Sequence, residues 1–151
     1  MNLPLLLYIM FNPSSATAFK NDPTTTRCTG FAVDLKAGGF LIANLFAYCT
    51  PSPKLLKRCP SPIGPENDLW LPALRDLTQT HIAAWGVHGP FRGRDREVCR
   101  MFPTLFHLSL TKEGIPRHPL MLEKSCRLAP YEPAFETVNS RGSAGGVWMN
   151  N

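Results

Sequence analysis

Apolar residues concentrate in four short runs separated by stretches of mixed character, the first unbroken and the second carrying Asn44, and that rhythm predicts the architecture. The runs cover residues 5–11, 40–47, 80–86 and 105–110. Each is too short for a buried helix. The first, continuous and set between turn-forming residues, reads as a central strand buried in a parallel sheet, and the other three read as further strands.

Three of the intervening stretches carry helical spacing. In residues 24–37, Cys28, Phe31, Ala32 and Leu35 are three, one and three positions apart, and Asp22, Pro23 and Thr24 supply helix-start chemistry. Gly38-Gly39 offers a stop. Residues 66–77 read as a second helix burying Leu69, Trp70, Ala73, Leu74 and Leu77, with Pro72 predicting a kink. Residues 91–102 read as a third, charged helix. Between them, residues 48–65 contain Pro51, Pro53, Pro60, Pro62 and Pro65, so a surface loop is expected, with one helical turn around Leu55-Leu56.

Strands joined by helical crossovers must be parallel. The expected fold is therefore three-layer α/β/α, with a mainly parallel four-stranded sheet in a single domain over residues 1–128. Residues 129–151 are expected to form a tail, because 140–151 are rich in Gly, Ser and Asn. Right-handed crossovers bring every strand's carboxyl end to one edge, and ligands of open sheets bind outside those ends. Asn12-Pro13-Ser14, Asn44-Leu45-Phe46, Trp85-Gly86 and residues 111–119 follow the four strands. A binding site is expected where they meet.

Composition narrows the partners. The 151 residues are 44% hydrophobic, enough for a real core, and sixteen Lys and Arg against eleven Asp and Glu give a net charge of +5. That balance suits a polyanion, either nucleic acid or a nucleotide. The opening residues lack a basic leader and are interrupted by Pro4, so 5–11 reads as a strand and not as a signal peptide. No stretch approaches the ~20 apolar residues that span a bilayer. Five scattered cysteines without a C-x-x-C pair read as reduced thiols of a cytoplasmic protein, and not as a zinc site or a disulfide framework. Neither a Walker loop nor a G-x-G-x-x-G is present, so no nucleotide cofactor and no metal are expected.

Asn12 and Asn44 stand at the ends of apolar strands, where an amide must find partners or lose about 1–3 kcal/mol. Each either ties down a neighbouring loop or reads the polar edge of a planar ligand. His118, between Arg117 and Pro119, can stabilise negative charge or pass a proton near neutral pH; the plainer role is to cap its loop. Gly86 permits close backbone approach, and Trp85 and Phe46 serve as core packing or as stacking surfaces. The basic stretches 54–58 and 92–100 either contact phosphates or face solvent.

The segments Phe-Asn-Pro-Ser-Ser-Ala (11–16), Asn-Asp-Pro-Thr (21–24), Asn-Leu-Phe-Ala-Tyr (44–48), Gly-Pro-Glu-Asn-Asp (64–68), Ala-Trp-Gly (84–86) and Thr-Lys-Glu-Gly-Ile-Pro-Arg-His-Pro-Leu (111–120) resemble the mainly bacterial and phage domain-of-unknown-function family 1643. More remotely, the order of these motifs is similar to that of the uracil-DNA glycosylase superfamily. That resemblance implies that Asn12 orients the attacking water, with Pro13 and Ser14 beside it. It also implies that Asn44 reads the base, Trp85-Gly86 forms the third-strand motif and His118 stabilises the leaving base. Arg117 would hold a phosphate, with Phe46 stacking on the base. Ser14 and Leu120 depart from the superfamily pattern, and no leucine wedge follows. A single-stranded, damaged or free nucleotide, which avoids the few kcal/mol needed to flip a paired base, fits such a site better than duplex DNA. The alternative expectation is a module that binds nucleic acid or a nucleotide without cleaving it.

Overall fold

The computed structural model describes residues 2–15, 22–133 and 135. It is an α/β fold built from β1 (Leu5–Met10), α1 (Pro23–Asp34), β2 (Gly39–Asn44), α2 (Pro53–Arg58), α3 (Asn67–Leu77), β3 (Thr80–Ala83), α4 (Arg94–Met101), β4 (Phe106–His107) and β5 (Ala129–Pro130). The strands form one sheet in the order β2-β1-β3-β4-β5. All neighbours are parallel except β4 and β5.

Four strands were expected and five are present. The fifth, Ala129–Pro130, lies inside the stretch expected to be tail, where it pairs antiparallel with β4. Its two residues are too few to leave a periodic signature. β4 is also shorter than the predicted 105–110, because the chain turns back after His107 and Leu110 makes a separate bridge to Pro116. The Gly- and Ser-rich residues 140–151 lie outside the described residues.

Alternation along β1 supplies both cores. Leu7 and Ile9 join Leu71 of α3 and Val98 of α4 on one face, while Leu6, Tyr8 and Met10 join Cys28, Phe31 and Ala32 of α1 on the other. Each fully buried aliphatic side chain of this kind contributes about 1.5–3 kcal/mol. A Leu7→Ala change would also leave a cavity, at a total cost of about 2–5 kcal/mol.

α1 begins as expected: Asp22 caps it by accepting from the Thr24 N–H at 3.1 Å, with Pro23 in the first turn. It ends earlier than expected, at Asp34, and Lys36 takes the left-handed conformation (φ 55°) that a helix stop needs. Gly38 has a different task. A Cβ there would lie 3.0 Å from the Leu3 Cβ, so the glycine is needed for close passage of two chain segments.

α3 corrects the sequence reading most. Leu69, Trp70 and Leu77 are 73%, 58% and 62% exposed, and Leu71 is the buried residue. The helix phase follows its polar anchor and its core contact together. Asn67, Leu71 and Leu74, spaced four and three apart, point inward, because the Asn67 amide binds the end of β2. The predicted third helix is likewise broken: a 3-10 turn at Phe91–Gly93 precedes α4, with Arg92 left-handed at φ 54°.

Strand order also locates the site. From β1 the chain crosses outward to β2, and from β3 it proceeds the other way to β4. The order therefore reverses between β1 and β3, and the crevice outside the carboxyl ends there is the usual ligand position in an open sheet.

Candidate functional site at the strand ends

A cavity of about 750 Å³ opens at that edge. It is lined by Asn12, Pro13 and Ser14 after β1, Asn44 at the end of β2, Trp85 and Gly86 after β3, and Arg117 and His118 from the returning loop. Of the expected site residues, Phe46 is the exception. It is fully buried, with its ring 5.3 Å from Phe11 and 5.7 Å from Phe91, so it is core and not a stacking surface for a ligand.

The two asparagines have different roles. Asn12 Nδ2 donates to the carbonyls of Pro13, Tyr48 and Thr50 at 3.1, 2.9 and 2.8 Å. Its nitrogen thus holds the proline-rich loop against the end of β1, and Oδ1 is the atom left for a water or ligand. At β2 the division is reversed. Asn67 Nδ2 donates to the Asn44 and Leu45 carbonyls at 2.9 Å each, and Arg94 Nε donates to the Leu45 carbonyl at 2.8 Å. The Asn44 backbone is therefore held by other residues. Its own amide lines the cavity with no hydrogen bond among the described residues.

Arg94 belongs to one of the expected phosphate-contacting stretches but is 1% exposed and paired with Asp68 and Glu97. A buried guanidinium satisfied by two carboxylates and a carbonyl is structural. Together with Asn67, it fixes the end of β2, where Asn44 lines the cavity.

His118 reaches the site because the chain doubles back. The Leu110 to Pro116 bridge, the Gly114 turn (φ 80°) and the Arg117 N–H donating to the Ser109 carbonyl at 2.9 Å close a small hairpin. The Gly86 N–H donates to the Pro116 carbonyl at 2.8 Å, which docks the hairpin on the end of β3. Gly86 itself adopts φ 76°, which other residues reach only with strain.

The imidazole of His118 has a defined tautomer. Nδ1 accepts from the Leu120 N–H at 3.3 Å, so in the neutral ring the proton sits on Nε2. Burial lowers its pKa below the ordinary histidine value, against an opposing pull from Asp22. The ring is consequently neutral at physiological pH, with Nε2–H available to donate. Arg117 Nε is anchored on the Leu110 carbonyl at 3.2 Å, and the guanidinium has no carboxylate partner among the described residues.

Trp85 is 2% exposed and packs edge-on to Tyr131 at 5.9 Å, so its indole is mainly core. A Cβ on Gly89 would fall 1.9 Å from Trp85 Cδ1, so the chain crosses that ring where only glycine fits.

His88 lines the same cavity and was not foreseen. Its ring lies 5.6 Å from Phe11, and its Nδ1 accepts from Lys57 Nζ at 3.2 Å. Burial, then the Lys57 charge, lowers its pKa. No local pattern marked it, because His88 sits in a loop and its partner is 31 residues away.

All five cysteines are free, and burial pushes the Cys28 and Cys99 thiols up to about 12, which makes them unreactive near neutrality. Among the described residues, no three His, Cys, Asp or Glu side chains converge as a metal site, and no helix is long and apolar enough to cross a membrane.

The family model described as a protein of unknown function, DUF1643, matches residues 1–120. The chain belongs to that family. The match takes in every cavity-lining residue except Met121. No curated protein and no solved structure matches the chain.

Proposed function

We propose that this DUF1643 domain recognises a nucleobase and hydrolyses its N-glycosidic bond in a three-layer, uracil-DNA-glycosylase-like arrangement. The observation that carries the reading is the pairing, in one cavity, of an uncommitted amide on Asn44 with a neutral Nε2–H donor on His118. An amide presents a donor and an acceptor side by side, which suits the edge of a base. A neutral imidazole suits an anion that forms only during reaction, because it can donate to the departing base without binding a resting negative charge.

In this scheme the bond from the sugar carbon to the base nitrogen breaks, and the base leaves with the electron pair. Water then bonds to the carbon, and its proton passes through solvent to the departed base anion, leaving a sugar hydroxyl and a neutral base. Asn12 Oδ1 would orient that water by accepting one of its hydrogens. A neutral amide cannot deprotonate water, so departure of the base, assisted by His118, would carry most of the barrier.

The commitment of Asn12 Nδ2 to three loop carbonyls favours a second reading, in which the pocket binds a nucleotide or nucleic acid without cleavage. An abasic-site assay on single- and double-stranded DNA containing uracil or hypoxanthine separates the two. Abasic product that disappears in Asn44→Ala and His118→Ala supports hydrolysis. Base-dependent binding lost in Asn44→Ala, without product from wild type, supports the module. Neither product nor binding from the folded protein removes both readings.

A further inference from the structure

His88 on the cavity wall touches a cluster of exposed cations, outside the cavity lining itself, that the base-reading scheme leaves unused. Lys57 projects from α2, its ammonium donates to His88 Nδ1 at 3.2 Å, and Nζ stands 5.7 Å from the centre of the Phe91 ring. Arg92 stands over the same ring at 4.9 Å and reaches the Pro60 carbonyl at 3.5 Å. Neither cation has a carboxylate partner among the described residues, whose ion pairs involve Arg75 and Arg94.

Three features distinguish this cluster from an ordinary solvated face. An ammonium held by an imidazole lone pair keeps its whole charge, whereas one held by a carboxylate is neutralised. Two like charges gathered on one aromatic ring repel each other until an anion joins them. Arg92 is carried there by a left-handed backbone (φ 54°) that a non-glycine residue adopts at a cost. Strain and uncompensated charge at the same place, beside a cavity, point to a ligand.

We propose that Lys57, positioned by His88 and assisted by Arg92, is the phosphate-binding subsite of this cavity, so that the ligand is a phosphorylated nucleoside and not a free base or nucleoside. The inference rests on the nucleobase reading for the identity of the rest of the ligand. Lys57 supplies the charge. His88 is a positioning residue that holds the ammonium next to the cavity wall by accepting a hydrogen bond from it, and its own Nε2–H is left to donate to a phosphate oxygen. The Phe91 ring attracts both the Arg92 guanidinium and the Lys57 ammonium, which orders them without neutralising them.

Calorimetric binding of deoxyuridine, deoxyuridine 5′-monophosphate, a short single-stranded oligonucleotide and inorganic phosphate tests the proposal. The monophosphate should bind wild type about tenfold more tightly than the nucleoside, as expected for one charge-assisted phosphate contact. Lys57→Gln should erase that ratio while leaving nucleoside affinity unchanged. His88→Asn, which retains an acceptor near the Nδ1 position, should keep most of the ratio, and His88→Leu should lose it. Equal affinity of wild type for nucleoside and monophosphate, or an equal loss for both in Lys57→Gln, would overturn the subsite.

An oligonucleotide that binds more tightly than the monophosphate, with a Lys57-dependent and steeper salt response, identifies backbone phosphate as the source. The reverse order identifies a free nucleotide. If neither nucleoside nor nucleotide binds, inorganic phosphate still separates the two claims. A phosphate-induced shift of the His88 ring resonance, present in wild type and absent in Lys57→Gln, would retain the anion subsite while the nucleobase reading fails. No such shift would remove the subsite as well.

Discussion

The ends of β1 and β2 lie side by side in the sheet, and each offers an asparagine to the same cavity, yet they are built in opposite ways. At β1 the side chain is the fastener: Asn12 Nδ2 holds the loop carbonyls of Tyr48 and Thr50. At β2 the fasteners are borrowed from α3 and α4, because Asn67 and Arg94 hold the Asn44 and Leu45 carbonyls. One amide is thereby largely consumed by structure, and the other lines the cavity with no hydrogen bond among the described residues. Residue type and position at a strand end are thus not enough to assign a role. What decides it is which other group satisfies the nearby backbone.

The largest effect should come from Arg94→Ala. That change removes the clamp on β2, leaves a cavity in a buried site and strips Asp68 and Glu97 of their partner. Denaturant unfolding should show a loss of roughly 3 kcal/mol. A loss within experimental error would mean that β2 does not depend on the borrowed fastener.

Asn12→Ala should cost less, about 2 kcal/mol, because the carbonyls of Pro13, Tyr48 and buried Thr50 lose their donor while that of exposed Tyr48 can regain water. Hydrogen exchange should then rise in the loop after β2 ahead of the sheet. Uniform exchange across the sheet would contradict the local role given to Asn12.

Acidification should have a smaller effect of defined sign. His88, His107 and His118 all have pKa values lowered by burial, so between their folded and unfolded values the native state binds fewer protons than the unfolded chain. Stability should therefore be complete at neutral pH and fall as pH drops below about 6.5. Thermal melts from about pH 7.5 to about 5.5 check this, and a rising Tm on acidification would contradict it.

The least effect on stability is expected from Asn44→Ala, below about 0.5 kcal/mol, since the side chain makes no hydrogen bond among the described residues. Ligand binding should nonetheless fall by at least about tenfold. A variant that is destabilised as much as Asn12→Ala would erase the distinction between the two strand ends.

Much of this was legible from local pattern. The apolar runs identified β1, β2 and β3, the Cys28, Phe31, Ala32 spacing identified the buried side of α1, and the strand-end rule brought Asn12, Asn44, Trp85-Gly86 and Arg117-His118 to one cavity. The reading failed where burial depended on a distant partner. Leu69, Trp70 and Leu77 look like a core face, but α3 is turned by Asn67 toward β2. Arg94 reads as a surface charge and is an internal clamp, while His88 had no local signature because Lys57 gives it its setting.

By itself, the sequence determined the kind and order of the main elements, because hydrophobic period and capping chemistry act over a few residues. It also determined which edge carries the site, because parallel strands and right-handed crossovers leave one choice. Only the tertiary structure decided which asparagine amide holds the loop, which arginine is buried and that His88 joins His118 at the cavity. Each of those outcomes depends on hydrogen bonds and contacts between residues up to 49 positions apart, and no local periodicity encodes such distances.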